Sequence, residues 1–179
     1  MTYTRTAIAL HWLTALLIAT AFGVGYYMAD LPLSPMKLKI YSWHKWLGMT
    51  VLLLALARLA WRAGHPAPPL PDTMQGWEKS VAGATHILIY LLMLAAPLAG
   101  WLMSSAAGFK VVYLGVLPLP DLIGKDKELA EFLKELHFYL TSGLGVLVLG
   151  HIAAALKHHL IDRDQVLARM MPSLLKEKS

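Results

Sequence analysis

The chain has 179 residues, 57% of them hydrophobic, a mean hydropathy of +0.53 and a formal charge of +5. Long uncharged runs at that hydropathy point to an integral membrane protein, whose surplus cations serve orientation in the bilayer and not nucleic-acid binding. There is no cysteine, which excludes disulfides, thiolate metal sites, iron–sulfur ligation and covalent c-type haem attachment.

The first predicted helix covers about residues 6–29, with no Asp, Glu, Lys or Arg and a single histidine, His11. Arg5 precedes it, as a basic residue precedes the core of a signal peptide. The apolar run is longer than a signal core of about 7–15 residues, so it reads as a retained span. His11 lies about one turn inside its start, and Ala15, four residues on, leaves room beside the ring.

A Pro-containing turn, LPLSPMKLK, leads to the second predicted helix, about residues 40–62. It opens YSWHKWLG, which puts His44 about one turn in, near the opposite face of the membrane from His11. Gly48 follows one turn later on the same side and lets a flat ring approach the backbone. Trp43 and Trp46 suit an interfacial aromatic belt. Arg58 comes fourteen residues after His44, on the same helical side and at the other membrane surface. It is a candidate partner for an acidic group of a cofactor.

The loop from Arg62 to Lys79 is polar and Pro-rich, and His65 within it reads as solvent-exposed. The third predicted helix, about residues 80–105, has no formal charge. His86 enters it at the depth of His11, and Pro97 predicts a kink. The next loop begins with VVYLGVLPLP, too short to span; it lies in the interface or covers the protein surface.

The fourth predicted helix, about residues 131–160, has no Asp, Glu, Lys or Arg between Phe138 and Leu156. That length crosses a bilayer core of about 30 Å. His137 and His151 are fourteen residues apart, which is about 1400°, or about 40° short of four turns. Both rings therefore leave one side of the helix, separated by about 21 Å of depth. Ionisable residues at membrane depth are costly and mark function. His158 follows seven residues later on the same side, where an imidazole can exchange a proton near neutral pH. An amphipathic tail, 162–179, closes the chain.

Four spans put both termini on one side, and that side holds the larger share of Lys and Arg, including every arginine. The positive-inside rule then predicts cytoplasmic termini. Near that face lie His11, His151 and His86; near the other lie His44 and His137. One metal ion cannot join two depths, because ligand bonds are only about 2 Å long. Two histidine pairs at two depths in an all-α four-helix transmembrane bundle are the pattern of two stacked haems, each ligated from both sides. Depth alone leaves His11 and His86 open as the partner of His151.

The chain resembles the bacterial cytochrome b561 family along nearly its whole length. The resemblance rests on ALHWL in the first span, WHKWLG in the second and THILIYLLMLAAPLAGW in the third. It rests most on LHFYLTSGLGVLVLGHIAAALKHH and DRDQVLARMMP together. It implies two non-covalent b-type haems in the bacterial inner membrane and electron transfer linked to ubiquinone. Carried over by position, it implies His11 and His151 as ligands of the cytoplasmic-side haem and His44 and His137 as ligands of the outer one. His86 then becomes a neighbour of the ligands or a quinone-site candidate.

The expectation is a quinone-linked oxidoreductase exchanging electrons with a partner at the outer surface. Lys37, Lys39 and Lys45 near His44 suggest a small anion, and superoxide is one that needs only one-electron transfer at a haem edge. Two alternatives stand beside this: a cytochrome b membrane subunit serving a hydrogenase or dehydrogenase, and, from a different class, a histidine-rich metal-ion transporter.

Overall fold

The computed structural model describes residues 2–173. Four helices follow one another: α1 (Arg5–Ala29), α2 (Pro35–Gly64), α3 (Gly76–Ala106) and α4 (Lys127–Leu160). Each is long and apolar enough to cross a membrane. The chain is therefore an all-α transmembrane bundle. Its lipid-facing helices expose Leu16, Phe22, Ile87, Leu91, Val146 and Leu149, as a bilayer solvent allows.

The helices begin before the uncharged runs do, and the caps explain where. Thr4 accepts the Ala7 N–H at 3.2 Å and Ser34 accepts the Lys37 N–H at 3.2 Å. Pro35 stands in the first turn of α2, where no N–H is needed. Gln75 and Glu78 form a reciprocal capping box at α3, and Asp126 accepts the Leu129 N–H at 3.0 Å at α4. These polar starts add about one turn to α2, α3 and α4 beyond the hydropathic core.

Around the bundle, α1 packs along α2, α2 on α3 and α3 along α4. Among the described residues, the backbones of α1 and α4 never come together, nor do those of α2 and α4. A cluster of Ile18, Val51, Ala55, Met93 and Leu144 fills the middle.

The loop after α3 is a small hairpin, β1 (Val112–Tyr113) paired antiparallel with β2 (Leu117–Pro118). Leu114 and Gly115 make its turn with positive φ. Trp46 donates from Nε1 to the Val112 carbonyl at 2.7 Å, and the Tyr113 hydroxyl lies 2.9 Å from Thr50 Oγ1. The apolar half of this loop thus covers the protein end of α2. Trp46 holds the hairpin in place, a specific role beyond that of a belt residue.

On the terminal side, the segment after α4 is a series of turns without a regular helix as far as residue 171. Trp12 Nε1 donates to the Met170 carbonyl at 2.9 Å, and Arg169 donates to the Pro69 carbonyl. The tail is so tied to α1 and to the α2–α3 loop. Residues 174–179 of the expected amphipathic tail lie outside the described residues. His65 is exposed and stacks on Trp61, ring centroids 4.0 Å apart.

Candidate functional site

A seven-residue step organises the interior. Seven residues make about 700°, about 20° short of two turns, with a rise of about 10.5 Å, so such residues share one helical side. On α1 the series is His11, Ile18, Gly25; on α2 it is His44, Val51, Arg58. On α3 it is His86, Met93, Gly100; on α4 it is His137, Leu144, His151, then His158. The middle members, Ile18, Val51, Met93 and Leu144, all belong to the central apolar cluster. Two polar layers lie on either side of it.

The layer on the hairpin side holds His44 and His137. Their ring centroids are 6.2 Å apart and the rings are nearly perpendicular. Each ring rests on a glycine of a third helix. A Cβ on Gly25 would lie 3.0 Å from His44 Cε1, and one on Gly100 would lie 3.2 Å from His137 Cε1. His137 Nδ1 donates to the Ala96 carbonyl at 2.8 Å. That bond fixes the tautomer and leaves the Nε2 lone pair for a ligand. His44 Nδ1 is buried without a hydrogen-bond partner. A cavity bordered by both rings is also lined by Tyr41, Lys45, Gly48, Pro97 and Ser104 among others. A Cβ on Gly48 would meet nothing within 4 Å, so the space beside His44 is open there.

The layer on the terminal side holds His11, His86, His151 and Arg58. His11 and His151 have centroids 6.2 Å apart, whereas His86 and His151 are 5.3 Å apart. Arg58 reaches His11, with Nη2 3.3 Å from Nδ1, and its guanidinium lies over Tyr90 at 5.4 Å. A guanidinium only donates, so His11 Nδ1 accepts in this arrangement.

The spacing can be tested against a metal. With metal–nitrogen bonds of about 2.0–2.1 Å and about 1.1 Å from nitrogen to ring centroid, two imidazoles facing through one ion have centroids about 6.2 Å apart. His44 with His137, and His11 with His151, meet that distance across gaps the helix backbones leave open. His86 with His151 does not. The two glycine rests also fit rings held in position for a flat ligand between them.

Sequence reasoning missed Gly25 and Gly100, whose roles depend on which helix packs against them. It read Lys37, Lys39 and Lys45 as one cluster, and the structure separates them. Lys37 donates to the Ala29 and Leu31 carbonyls, at and just beyond the end of α1. Lys39 lies over the Trp43 ring, and Lys45 lies over Phe109 at 5.9 Å while lining the cavity. His158 is buried and its Nδ1 faces Asp162 and Asp164.

The sequence model described as prokaryotic cytochrome b561 matches residues 2–173. Cytochrome b561 homolog 2 of Escherichia coli (strain K12) is 33% identical over 165 residues, covering 91% of this chain and 87% of that protein. Cytochrome b561 homolog 1 of the same strain is 29% identical over 171 residues, covering 95% and 97%. A Yersinia pestis protein named "Probable superoxide oxidase CybB" is 29% identical over 175 residues, covering 95% and 96%. A match over nearly the whole chain sets aside the metal-ion transporter: the chain belongs to the prokaryotic cytochrome b561 family, haem b-binding membrane proteins of electron transport.

Proposed function

We propose that this protein is a di-haem b cytochrome of the bacterial inner membrane, with cytoplasmic termini, that oxidises superoxide at its outer, hairpin-side surface and reduces ubiquinone. The observation that carries the reading is the pair of 6.2 Å histidine spacings on either side of one apolar layer. His44 and His137 would hold the outer haem; His11 and His151 would hold the cytoplasmic-side one. Haem b held by such a pair would supply reversible one-electron chemistry.

The chain's own residues set the conditions. Ala96 holds His137 in the ligating tautomer. Gly25 and Gly100 admit the two outer rings. Ligation through Nε2 requires the His11 proton at Nδ1, where Arg58 now donates, so Arg58 must leave that atom. The freed guanidinium is then available to a propionate. His86 stays beside His151 as a neighbour of the ligand. His158 is the candidate hydrogen-bond partner of the quinone carbonyl.

Lys45 is the lysine that lines the outer cavity, which suits a small anion. The name of the Yersinia pestis relative supports superoxide as that anion. In balance, two superoxide anions become two dioxygen molecules, and their two electrons with two protons convert one ubiquinone to ubiquinol. The experiment supplies superoxide at a steady rate to purified protein with a short-chain ubiquinone. About two superoxide consumed per quinol formed is the expected ratio. Quinol formation that superoxide does not stimulate overturns the donor. A protein that is reduced by superoxide but passes nothing to ubiquinone overturns the acceptor.

A further inference from the structure

The cytoplasmic end of α4 carries an arrangement that the haem sites do not use. The helix ends at Leu160, and the chain reverses through Arg163, whose φ of 54° is left-handed and unusual for a side chain of that size. The reversal turns Asp162 and Asp164 to the same atom. Asp162 Oδ2 is 3.0 Å and Asp164 Oδ2 is 2.7 Å from His158 Nδ1. The Asp164 N–H donates back to the His158 carbonyl at 3.0 Å, and the Val166 N–H donates to Asp164 Oδ1 at 2.8 Å.

The two carboxylates are not equivalent. Asp164 is the more buried, its side chain 11% exposed against 29% for Asp162, and both its oxygens are engaged. Asp162 is shared with Lys157, whose Nζ lies 2.8 Å from it and 2.8 Å from Glu78 on α3. Lys157, Asp162, Asp164 and, through Lys157, Glu78 are the charged groups that surround the ring. A divalent cation on His158, Asp162 and Asp164 would have to displace the Lys157 ammonium, so the acidic pair already has its counter-charge. His158 Nε2 makes no hydrogen bond to the described residues.

A carboxylate on Nδ1 keeps the proton there and leaves Nε2 as the working atom. We propose that Asp164 is a positioning residue for quinone reduction: it fixes His158 so that Nε2 carries and gives up the proton that a quinone oxygen receives. The inference rests on the reading of His158 as the quinone's partner. In each two-electron reduction the quinone takes two protons. When the doubly protonated His158 gives up its Nε2 proton, the ring keeps the Nδ1 proton held by Asp164 and is recharged from the cytoplasmic side. Asp162 and Lys157 hold the reversal closed.

The test compares the parent, Asp164→Asn and Asp164→Glu, each with its haem spectrum intact, reducing short-chain ubiquinone across a range of pH in H2O and D2O. An amide can donate to Nδ1 and so favours the wrong tautomer. Asp164→Asn is expected to keep KM for the quinone, to lose about tenfold or more in kcat, and to change both pH profile and solvent isotope effect, the scale of a lost general acid. Asp164→Glu, which keeps the carboxylate, restores part of kcat. If Asp164→Asn loses a haem, Asp164→Ala, which removes the acceptor from Nδ1, decides: reduced kcat at unchanged KM supports the proposal, and parental kcat and pH profile overturn it. Asp164→Asn with parental kcat, pH profile and isotope effect also overturns it. A parent that is reduced by superoxide yet never reduces ubiquinone overturns the quinone reading itself, and this inference with it.

Discussion

At the scale of single residues, the four proposed ligands are held in different ways. His137 is fixed by a backbone carbonyl, His44 rests on Gly25 with an unsatisfied Nδ1, and His11 is engaged by Arg58. The histidines were legible in the sequence because an ionisable residue in an apolar run stands out. The glycines were not, because their use depends on a partner helix. A Cβ at Gly100 would come within 3.2 Å of His137 Cε1 and 3.3 Å of Nδ1, close enough that the ring must shift. Gly100→Ala is therefore expected to change the spectrum and midpoint potential of one haem and spare the other. Gly150→Ala, on α4 with nothing within 4 Å, serves as the comparison and should change neither. A redox titration followed optically checks both. Equal effects from the two would remove the glycine rest from the account.

At the scale of the element, each helix presents polar, apolar and polar or glycine positions at steps of seven residues. Half of this was readable in α2 and α4, where fourteen-residue spacings joined His44 to Arg58 and His137 to His151. In α1 and α3 the third position is a glycine, so the series is silent without the fold. The central layer packs Met93 and Leu144 almost fully out of contact with lipid. Met93→Ala should lower stability by about 2–5 kcal/mol, the usual cost of emptying such a position. It should keep both haems, since the layer lies about two turns from every proposed ligand. Denaturation in detergent with the haem spectrum as a second readout checks this. Selective loss of one haem would show that the layer serves a site and not the bundle.

At the scale of the whole molecule, the two ends differ. The hairpin closes one end through Trp46 and Tyr113, and the tail ties the other through Trp12 and Arg169. The sequence left the hairpin's cover open beside an interfacial position, and the tail's tie was not legible, because both closures rest on long-range contacts, mostly to backbone carbonyls, that sequence does not advertise. The charge at the hairpin end was legible only as a group of lysines. Of the three, Lys45 lines the cavity that His44 and His137 border, while Lys37 is held by carbonyls. Lys45→Gln should therefore slow haem reduction by superoxide more than Lys37→Gln does. The parent rate should fall as salt rises, since screening acts over about 10 Å at 0.1 M. Stopped-flow reduction against ionic strength measures both. A rate indifferent to salt and to Lys45 would return the lysines to a role in topology.

The central claim is that two haems are held by two separate histidine pairs, and counting haem per chain in ligand variants tests it most directly. The pyridine haemochrome of the parent should give two haems per chain. His137→Ala and His151→Ala should each give one, with different residual spectra, because each removes a ligand from a different pair. His86→Ala should keep two, since its 5.3 Å approach to His151 is too short for the two rings to face each other through one iron. Two haems retained in His137→Ala or His151→Ala, or one lost in His86→Ala, would contradict the assignment.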